Sequence, residues 1–373
     1  MLLEFIRFEI NYRKRRPATW IYFLLLFVTA ILFVTTELKD IVTRSEQIKE
    51  NAPFIIAFLQ GIVSYFFCMI TSAVMGVAVL RDFEYNTEAL MFSNPIKKFD
   101  YLMGRFIGSF LVLLFIFSGF WLGLAIGDFL PNRKAENLLP FNLLHFIQPF
   151  FILVIPNLLF TGALFFAAGA LTRKSVMIYT QGIILFVVYN IAQQLLFKID
   201  NRELASYIDP FGITSLNTTI RYWSPAERNM WMIPLSGTFL YNRLIVTGLG
   251  LIILAITYWS FSFNVVKSSL FKPKKSKKQE EVRIKPENVI IPQAQQLLNT
   301  NTYLRQFGSL TTFYYRTIFK EVPFLTIIIS GFALFIATVG NTQSWFGVGT
   351  LPTTANMLGA LGILEFFYLA IAV

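Results

Sequence analysis

The sequence YRKRRP, at residues 12–17, leads into an apolar run that ends at Val34. The sequence IFKEVP, at residues 318–323, leads into a second apolar run that ends at Val339. Lys14 and Lys320 are 306 positions apart, and Pro17 and Pro323 are separated by the same number. The stretches are therefore interpreted as copies of one pattern, in which a basic segment and a proline precede a membrane span.

The similarity continues into the next apolar segment of each copy. The sequence GIVSYFFCMI, at residues 61–70, matches GILEFFYLAI, at residues 362–371, with an offset of 301 positions. Chance similarity between apolar helices is the alternative to a duplication. A duplication predicts two pseudo-symmetric halves, which is typical of proteins that move a solute across the bilayer.

Composition indicates a membrane protein, because the chain is 55% hydrophobic and 17% aromatic. A spanning helix needs about 20 mostly apolar residues, and eight stretches approach that length. They are residues 18–36, 54–80, 105–127, 147–171, 176–197, 240–263, 323–340 and 354–373. The expected fold is an all-α polytopic membrane helix bundle, with six spans in a first half and two in a truncated second repeat.

Three parts are expected along the chain. Residues 1–265 form the first half, and residues 2–16 form an amphipathic elbow helix in the membrane interface. Residues 266–302 form a cytoplasmic linker, which is basic because of the sequence KPKKSKK at residues 272–278. Residues 303–373 begin the second repeat with an elbow helix and two spans.

The net charge of +11 is distributed unevenly along the chain. With a cytoplasmic N-terminus, the inner segments hold 22 of the 32 Lys and Arg residues and 10 acidic residues. The outer segments hold basic and acidic residues in equal number, as the positive-inside rule requires. The basic excess is therefore expected to set the topology and to attract anionic lipids, and no nucleic acid is expected as a partner.

Chemistry-bearing residues are scarce. Cys68 is the only cysteine and His145 the only histidine, which is too few for a zinc site without several carboxylates. No motif of a metallopeptidase, a serine hydrolase or a nucleotide-binding loop occurs in a credible context. We therefore expect no catalytic residue, no metal and no cofactor in this stretch.

The loop between the second and third spans carries the most specific pattern, RDFEYNTEALMFSNPI at residues 81–96. Its apolar residues are expected to face water unless a partner protein covers them: Phe83, Leu90, Met91, Phe92 and Ile96. An ordinary solvated loop is the alternative.

This loop resembles the first cytoplasmic loop of ABC-2-type permeases, the membrane subunits of ATP-driven transporters. The places of the family pattern are held here by Glu84, Thr87, Leu90, Pro95, Ile96, Gly104 and Arg105. The elbow helix, the six spans and a larger external segment between spans five and six are similar too, so the resemblance covers residues 1–265.

The resemblance implies a multi-pass permease of the bacterial inner (plasma) membrane, with a cytoplasmic N-terminus and a separate ABC ATPase subunit as partner. In the family, this loop forms a coupling helix that receives the motion of the ATPase. The residues that would couple to the partner ATPase are Arg81, Asp82, Glu84, Thr87, Leu90, Met91, Pro95 and Ile96.

A doubled permease with such an elbow also resembles the N-terminal part of Bacteroidota proteins that fuse an ABC permease to an M1-type aminopeptidase. The fused peptidase domain would then lie beyond Val373. A membrane anchor for that metallopeptidase is one alternative function. An ion-coupled secondary transporter is another, but it requires charges near mid-span, and Glu365 is the candidate.

Two further sets of residues are singled out. Glycines spaced by four residues in the third span are expected to allow close helix packing rather than to line a substrate path: Gly119, Gly123 and Gly127. A polar path, or simple snorkelling to the interface, is expected at the outer end of the fifth span, with Glu365 as a further member of the path. The residues at that end are Asn190, Gln193 and Gln194.

Overall fold

Helices form nearly all of the regular structure in the part of the chain that the computed structural model describes. The described residues are 1–35, 47–131, 135–196, 202–263, 299–340, 344–345, 348–349 and 354. Most of the predicted linker and nearly all of the eighth apolar stretch lie outside them.

The chain begins with the predicted pair of an amphipathic helix and a span, α1 (Leu2–Lys14) and α2 (Pro17–Thr35). Pro17 separates the two helices, because proline lacks the N–H that a continuous helix would need and is favoured in a first turn. α1 packs along the first half of the third span.

The second span is broken. It consists of α3 (Pro53–Phe66) and α4 (Cys68–Glu84), which meet at an angle of 54° and are separated by Phe67. A π-helical turn at Ser72–Gly76 follows the break inside α4. Sharp bends commonly accompany such turns, and the bend accommodates a segment that is too long to cross a bilayer straight.

The helices between Glu88 and Ser260 complete the predicted first half. Three long ones are α6 (Lys98–Gly127), α7 (Leu143–Thr172) and α8 (Ser175–Leu196), and a short α5 (Glu88–Phe92) lies between α4 and α6. A 3-10 turn at Ala135–Asn137 precedes α7, which contains a π-helical turn at Phe150–Val154. After α8 come α9 (Arg202–Ile208), α10 (Ile213–Thr219), α11 (Pro225–Met230) and the sixth span, α12 (Gly237–Ser260).

The predicted second repeat contains α13 (Thr300–Ile318) and α14 (Val322–Gly340). A two-residue antiparallel pair follows, between β1 (Ser344–Trp345) and β2 (Val348–Gly349). α14 packs against α8.

The predicted all-α polytopic bundle is confirmed. Among the described residues, five helices are long and apolar enough to cross a membrane, and the bent α3–α4 pair makes a sixth. All six fall in residues 1–265. We call the end of the bundle that carries α5 the α5 end, and the end that carries α9–α11 the opposite end.

The glycines of the third span lie against α2. A Cβ atom at Gly123 would lie 2.7 Å from the Cβ of Ala30 and 2.7 Å from the carbonyl oxygen of Phe27. Gly119 and Gly127 face the Phe23 carbonyl and the Val34 side chain in the same way. The absence of side chains therefore lets the backbones of α2 and α6 approach closely.

Replacing Gly123 with Ala is expected to lower the thermal unfolding midpoint, because the new methyl group overlaps backbone atoms that cannot move independently. Overpacking of this kind costs about 1–3 kcal/mol. Gly248, on α12, is the matched control, since a Cβ there would meet nothing within 4 Å. Thermal unfolding of the purified protein in detergent should show a loss for Gly123→Ala only; equal midpoints would contradict the close packing of α2 on α6.

Candidate functional site

α5 forms the tip of the loop between α4 and α6. Leu90 stands at the centre of this tip with 72% of its surface exposed, and Met91 beside it is half-buried. The predicted residues Glu84, Thr87 and Pro95 are also exposed. The tip therefore presents an apolar side chain in a polar surround, on the outside of the bundle.

The base of the tip is held by an aromatic cluster, which we define as Phe83, Phe92, Tyr101, Phe261 and Phe263. The Phe92 ring lies 4.7 Å from the Phe263 ring and 5.6 Å from the Tyr101 ring, measured between centroids. Phe261 and Phe263 directly follow α12, so this cluster joins α5 to the end of the sixth span.

The expectation that Phe83, Phe92 and Ile96 would face water without a partner is wrong. All three pack against the main hydrophobic core. The sequence argument failed because the residues that cover Phe92 follow it by about 170 positions in the chain, at Phe261 and Phe263. Leu90 keeps its exposure, so the apolar surface at the tip is smaller than the sequence indicated.

Arg81 and Asp82 belong to a buried charge cluster with Glu9, Arg13 and Arg105. Glu9 is fully buried, and one of its carboxylate oxygens, Oε1, accepts hydrogen bonds from Arg105 and, at 2.5 Å, from Arg81. Its other oxygen lies 3.3 Å from the Nε of Arg13. The charge cluster therefore places Arg81 and Asp82 inside the bundle, and not on the surface of the tip.

The second carboxylate of the charge cluster is equally well paired. Asp82 accepts hydrogen bonds from Nη2 of Arg105 at 2.7 and 2.8 Å and from the Tyr101 hydroxyl at 2.7 Å. Arg13 also donates to the carbonyl oxygen of Val74, at 2.6 Å. Buried charges are tolerated only when paired and hydrogen-bonded in this manner.

The three arginines determine the protonation of Glu9. Burial by itself would raise the pKa of this carboxyl, but the guanidinium groups of Arg81, Arg105 and Arg13 outweigh burial and hold the pKa below its ordinary value. Glu9 is therefore ionised at neutral pH. It ties α1 to both ends of the α4–α6 loop.

A second polar cluster lies toward the opposite end of the bundle, around Arg243 on α12. Arg243 donates to Oδ1 of Asn157 on α7 at 2.7 Å, and its Nε donates to Oδ1 of Asn242 at 2.9 Å. Asn242 in turn donates to the backbone carbonyls of Ser206 and Asp209. We call these residues the Arg243 cluster; it fastens α9 and the turn after it to α7 and α12.

The predicted polar-path residues make contacts within the bundle. Asn190 donates to the Tyr65 hydroxyl, next to the break in the second span, and Gln193 accepts a hydrogen bond of 3.0 Å from Thr214 on α10. Gln194 lies on α8, and Glu365 lies outside the described residues. Asn190 and Gln193 thus connect α8 to the broken span and to the short helices of the opposite end.

Sequence reasoning missed Glu9 and the Arg243 cluster. Glu9 has no distinctive signal, because acidic residues among basic ones are ordinary in an interfacial helix. Arg243 was recognisable from the sequence, since a charged residue inside an apolar span is rare and commonly has a structural or functional role. It was missed because it lies only seven residues into the helix, where an interfacial position is equally plausible from sequence.

Comparison with known proteins gives one match. A family model described as "ABC-2 family transporter protein" matches residues 5–264. The match covers α1 to α12, with the charge cluster, the α5 tip and the Arg243 cluster. No match was found among curated proteins or among solved structures.

Proposed function

From the premise that the chain belongs to the ABC-2 family of transporter proteins, we propose that a separate ABC ATPase subunit docks on the α5 tip and drives transport. The chain itself is the membrane component, a permease. The observation that carries the proposal is Leu90, an exposed apolar residue on a short helix whose base is fixed to the bundle. A docking surface needs this combination, because a flexible loop would absorb the displacement that the ATPase applies.

The proposed orientation places the α5 end on the cytoplasmic side of a bacterial plasma membrane. The excess of basic residues in the segments at that end supports this orientation. The same residues are suited to binding anionic lipids. The similarity to Bacteroidota fusion proteins, with a peptidase domain after this stretch, stays a prediction.

Two sets of contacts would carry motion from the α5 tip into the bundle. The aromatic cluster links α5 to the end of α12, and the charge cluster links the base of the loop to α1 and α6. Arg173, in the turn between α7 and α8, stacks over the Phe83 ring at 4.3 Å. A push on α5 is thereby delivered to both cytoplasmic loops of the first half and to its sixth span.

The proposed substrate path runs along α8, past Asn190, Gln193 and Gln194. The contact of Asn190 with Tyr65 supports this placement because it joins α8 to the broken second span, and the contact of Gln193 with Thr214 joins α8 to α10 at the opposite end. A shift of α8 relative to α3 and α10 would alter these contacts. Family membership favours ATP-driven transport over an ion-coupled carrier.

Replacing both Leu90 and Met91 with Ser is expected to prevent docking of the cognate ATPase while leaving membrane insertion intact. Burying an apolar side chain in a groove contributes about 1.5–3 kcal/mol, so the loss of two weakens docking by well over tenfold.

The single change Glu84→Ala is expected to reduce stimulation of the ATPase, since Glu84 is the exposed acidic residue at the start of the tip. Co-purification and stimulated ATP hydrolysis in liposomes measure both effects.

The matched control changes two exposed apolar residues at the opposite end, Met230 and Leu235, to Ser. This control should bind and stimulate the ATPase as the unchanged protein does. Normal docking by the Leu90→Ser, Met91→Ser variant would show that the α5 tip is not the coupling site.

A further inference from the structure

The charge cluster carries one more positive charge than negative charge. It holds three arginines and two carboxylates, and each of these residues is at least nine-tenths buried: Glu9, Arg13, Arg81, Asp82 and Arg105. Among the described residues, the ion pairs of these arginines go to the two carboxylates of the cluster alone. Burying a charge without a counter-charge is costly, so the excess is expected to draw an anion from outside the chain.

Two of the arginines keep hydrogen-bond donors that no described residue accepts. Arg81 makes one hydrogen bond, from Nη2 to Glu9, so its Nε and Nη1 groups are unpaired within the described part of the chain. Arg13 binds Glu9 through Nε and the Val74 carbonyl through Nη2, and its Nη1 group is likewise unpaired there. Arg81 and Arg13 are 7% and 9% exposed, whereas Arg105 is 1% exposed. The charge cluster therefore reaches the surface of the protein at Arg81 and Arg13.

Tyr12 brings a further arginine next to Arg81. The guanidinium carbon of Arg81 lies 4.0 Å from the centre of the Tyr12 ring, and that of Arg16 lies 4.7 Å from the same centre. Arg16 also donates a hydrogen bond of 2.6 Å to the Tyr12 hydroxyl. Stacking on a ring uses the flat face of a guanidinium group and leaves the N–H groups at its edge for an anion. One ring thus holds two arginines whose edges remain available.

These side chains lie where the chain enters its first span. Arg13 and Arg16 come shortly before Pro17, the first residue of α2. Trp20 is 49% exposed and donates from Nε1 to the carbonyl oxygen of Lys14 at 3.0 Å. A tryptophan at the end of a span is typical of the headgroup level of a bilayer. The arginines around Tyr12 are therefore placed at the depth of the lipid phosphates.

Nearby side chains do not supply the missing negative charge. Lys14, Arg15 and Arg16 add three exposed positive charges. Glu84, one turn after Arg81 on α4, is exposed and forms no ion pair in the part of the chain that the structure describes. Water can hydrate a free N–H group, but it cannot balance a charge.

We propose that Arg13, Arg16 and Arg81 form a binding site for one phosphate group, supplied by an anionic phospholipid of the adjacent leaflet. The phosphate oxygens accept charge-assisted hydrogen bonds from the guanidinium edges, and the phosphate charge compensates the excess of the charge cluster. The bound lipid thereby links the end of α1 to α4. This inference rests on the part of the proposed function that places this surface among anionic lipids, and it adds a discrete site for one of them.

Native mass spectrometry of the purified, delipidated protein in detergent tests the site. The protein is titrated with phosphatidylglycerol, with phosphatidylcholine, whose phosphate is balanced by its own ammonium group, and with inorganic phosphate. We expect one molecule of phosphatidylglycerol to be retained in preference to the other two. Arg16→Gln should weaken this retention by about tenfold or more, because it removes a hydrogen bond between two charged groups.

Two further variants separate a phosphate site from general attraction to a basic surface. Arg15→Gln removes the same charge from an exposed neighbour that makes no cation–π contact with Tyr12 in the described structure, and it should leave retention unchanged. Arg81→Lys keeps the charge beside Glu9 but removes the planar fork, so it should weaken retention as Arg16→Gln does. Size-exclusion chromatography verifies that each variant is folded, and the result for the exposed Arg16 decides the test if Arg81→Lys is not folded.

Three results would overturn the inference. Equal weakening by Arg15→Gln and Arg16→Gln would show attraction to a diffuse basic surface. Equal affinity for inorganic phosphate and phosphatidylglycerol would identify a free anion as the ligand. Unchanged lipid retention with lost ATPase co-purification in Arg16→Gln would identify a protein contact. Failure of the Leu90 and Met91 test concerns the α5 tip and would leave the lipid site untouched, and the reverse also holds.

Discussion

Replacing Glu9 with Gln is expected to destabilise the protein more than any other single change in α1. The substitution leaves Arg13, Arg81 and Arg105 close together with Asp82 as their remaining carboxylate. Removing one partner of a buried ion pair costs about 3–5 kcal/mol, against a typical total stability of about 5–15 kcal/mol. We expect a large fall in the yield of monodisperse protein and in its thermal midpoint, measured by size-exclusion chromatography of heated samples.

Two comparisons separate charge from position. Glu4→Gln removes an exposed acid from the same helix and should leave the midpoint unchanged. The double variant Glu9→Gln, Arg81→Gln should lose less stability than the two single changes together, because it removes a charge of each sign from one contact. Strict additivity of the two changes would show that Glu9 and Arg81 are not coupled.

The sign of the pH dependence follows from the lowered pKa of Glu9. A group whose pKa is lower in the folded state stabilises the fold above its unfolded pKa, and this contribution is lost as the pH falls through the folded value. The unchanged protein should therefore lose stability on acidification partly through Glu9. The Glu9→Gln variant should show a flatter dependence over the same acidic range.

Replacing Arg243 with Met is expected to release the short helices at the opposite end. The change removes the donors to Asn157 and Asn242 and leaves two buried amide oxygens without them. Each unsatisfied buried polar group costs about 1–3 kcal/mol. Hydrogen exchange across residues 202–219 should rise strongly, while exchange in α2 and α6 should stay slow.

Arg221→Met is the matched control, because Arg221 is exposed in the same region. It should leave exchange unchanged. Arg243→Lys should resemble Arg243→Met, since an ammonium group lacks the planar fork that reaches two amide oxygens at once. Slow exchange across residues 202–219 in Arg243→Met would show that the Arg243 cluster does not hold these helices.

Local patterns in the sequence were sufficient for the membrane architecture. Pro17 and the basic residues before it marked the end of α1 and the start of α2, because proline and charge act on their neighbours in the chain. The span predicted at 105–127 begins earlier in the structure, at Lys98, because the helix continues beyond the long apolar run and carries Arg105 into the charge cluster. The length of an apolar run indicates which residues cross the hydrocarbon core of the bilayer. It does not indicate how far the helix continues outside that core.

The site was only partly predictable, because its contacts are long-range. Leu90 and its neighbours stood out by local pattern. The burial of Arg81 and Asp82 depends on Glu9 and Arg105. Glu9 is 72 residues from Arg81 and 96 residues from Arg105 in the sequence. The stretch 54–80 was predicted as one span and its break was not predicted, since neither Pro nor Gly marks Phe67.

The charge cluster also has a consequence for the order of biosynthesis. Its members leave the ribosome at separate times, since Arg81 follows Glu9 by 72 residues and Arg105 follows it by 96. While each early span enters the translocon, its arginine is still hydrated and can act as a retention signal on the cytoplasmic side, in the proposed orientation. Glu9 can pair with all three arginines only after α6 has been delivered, so the residues that guide insertion become part of the packed interior once the third span is in place.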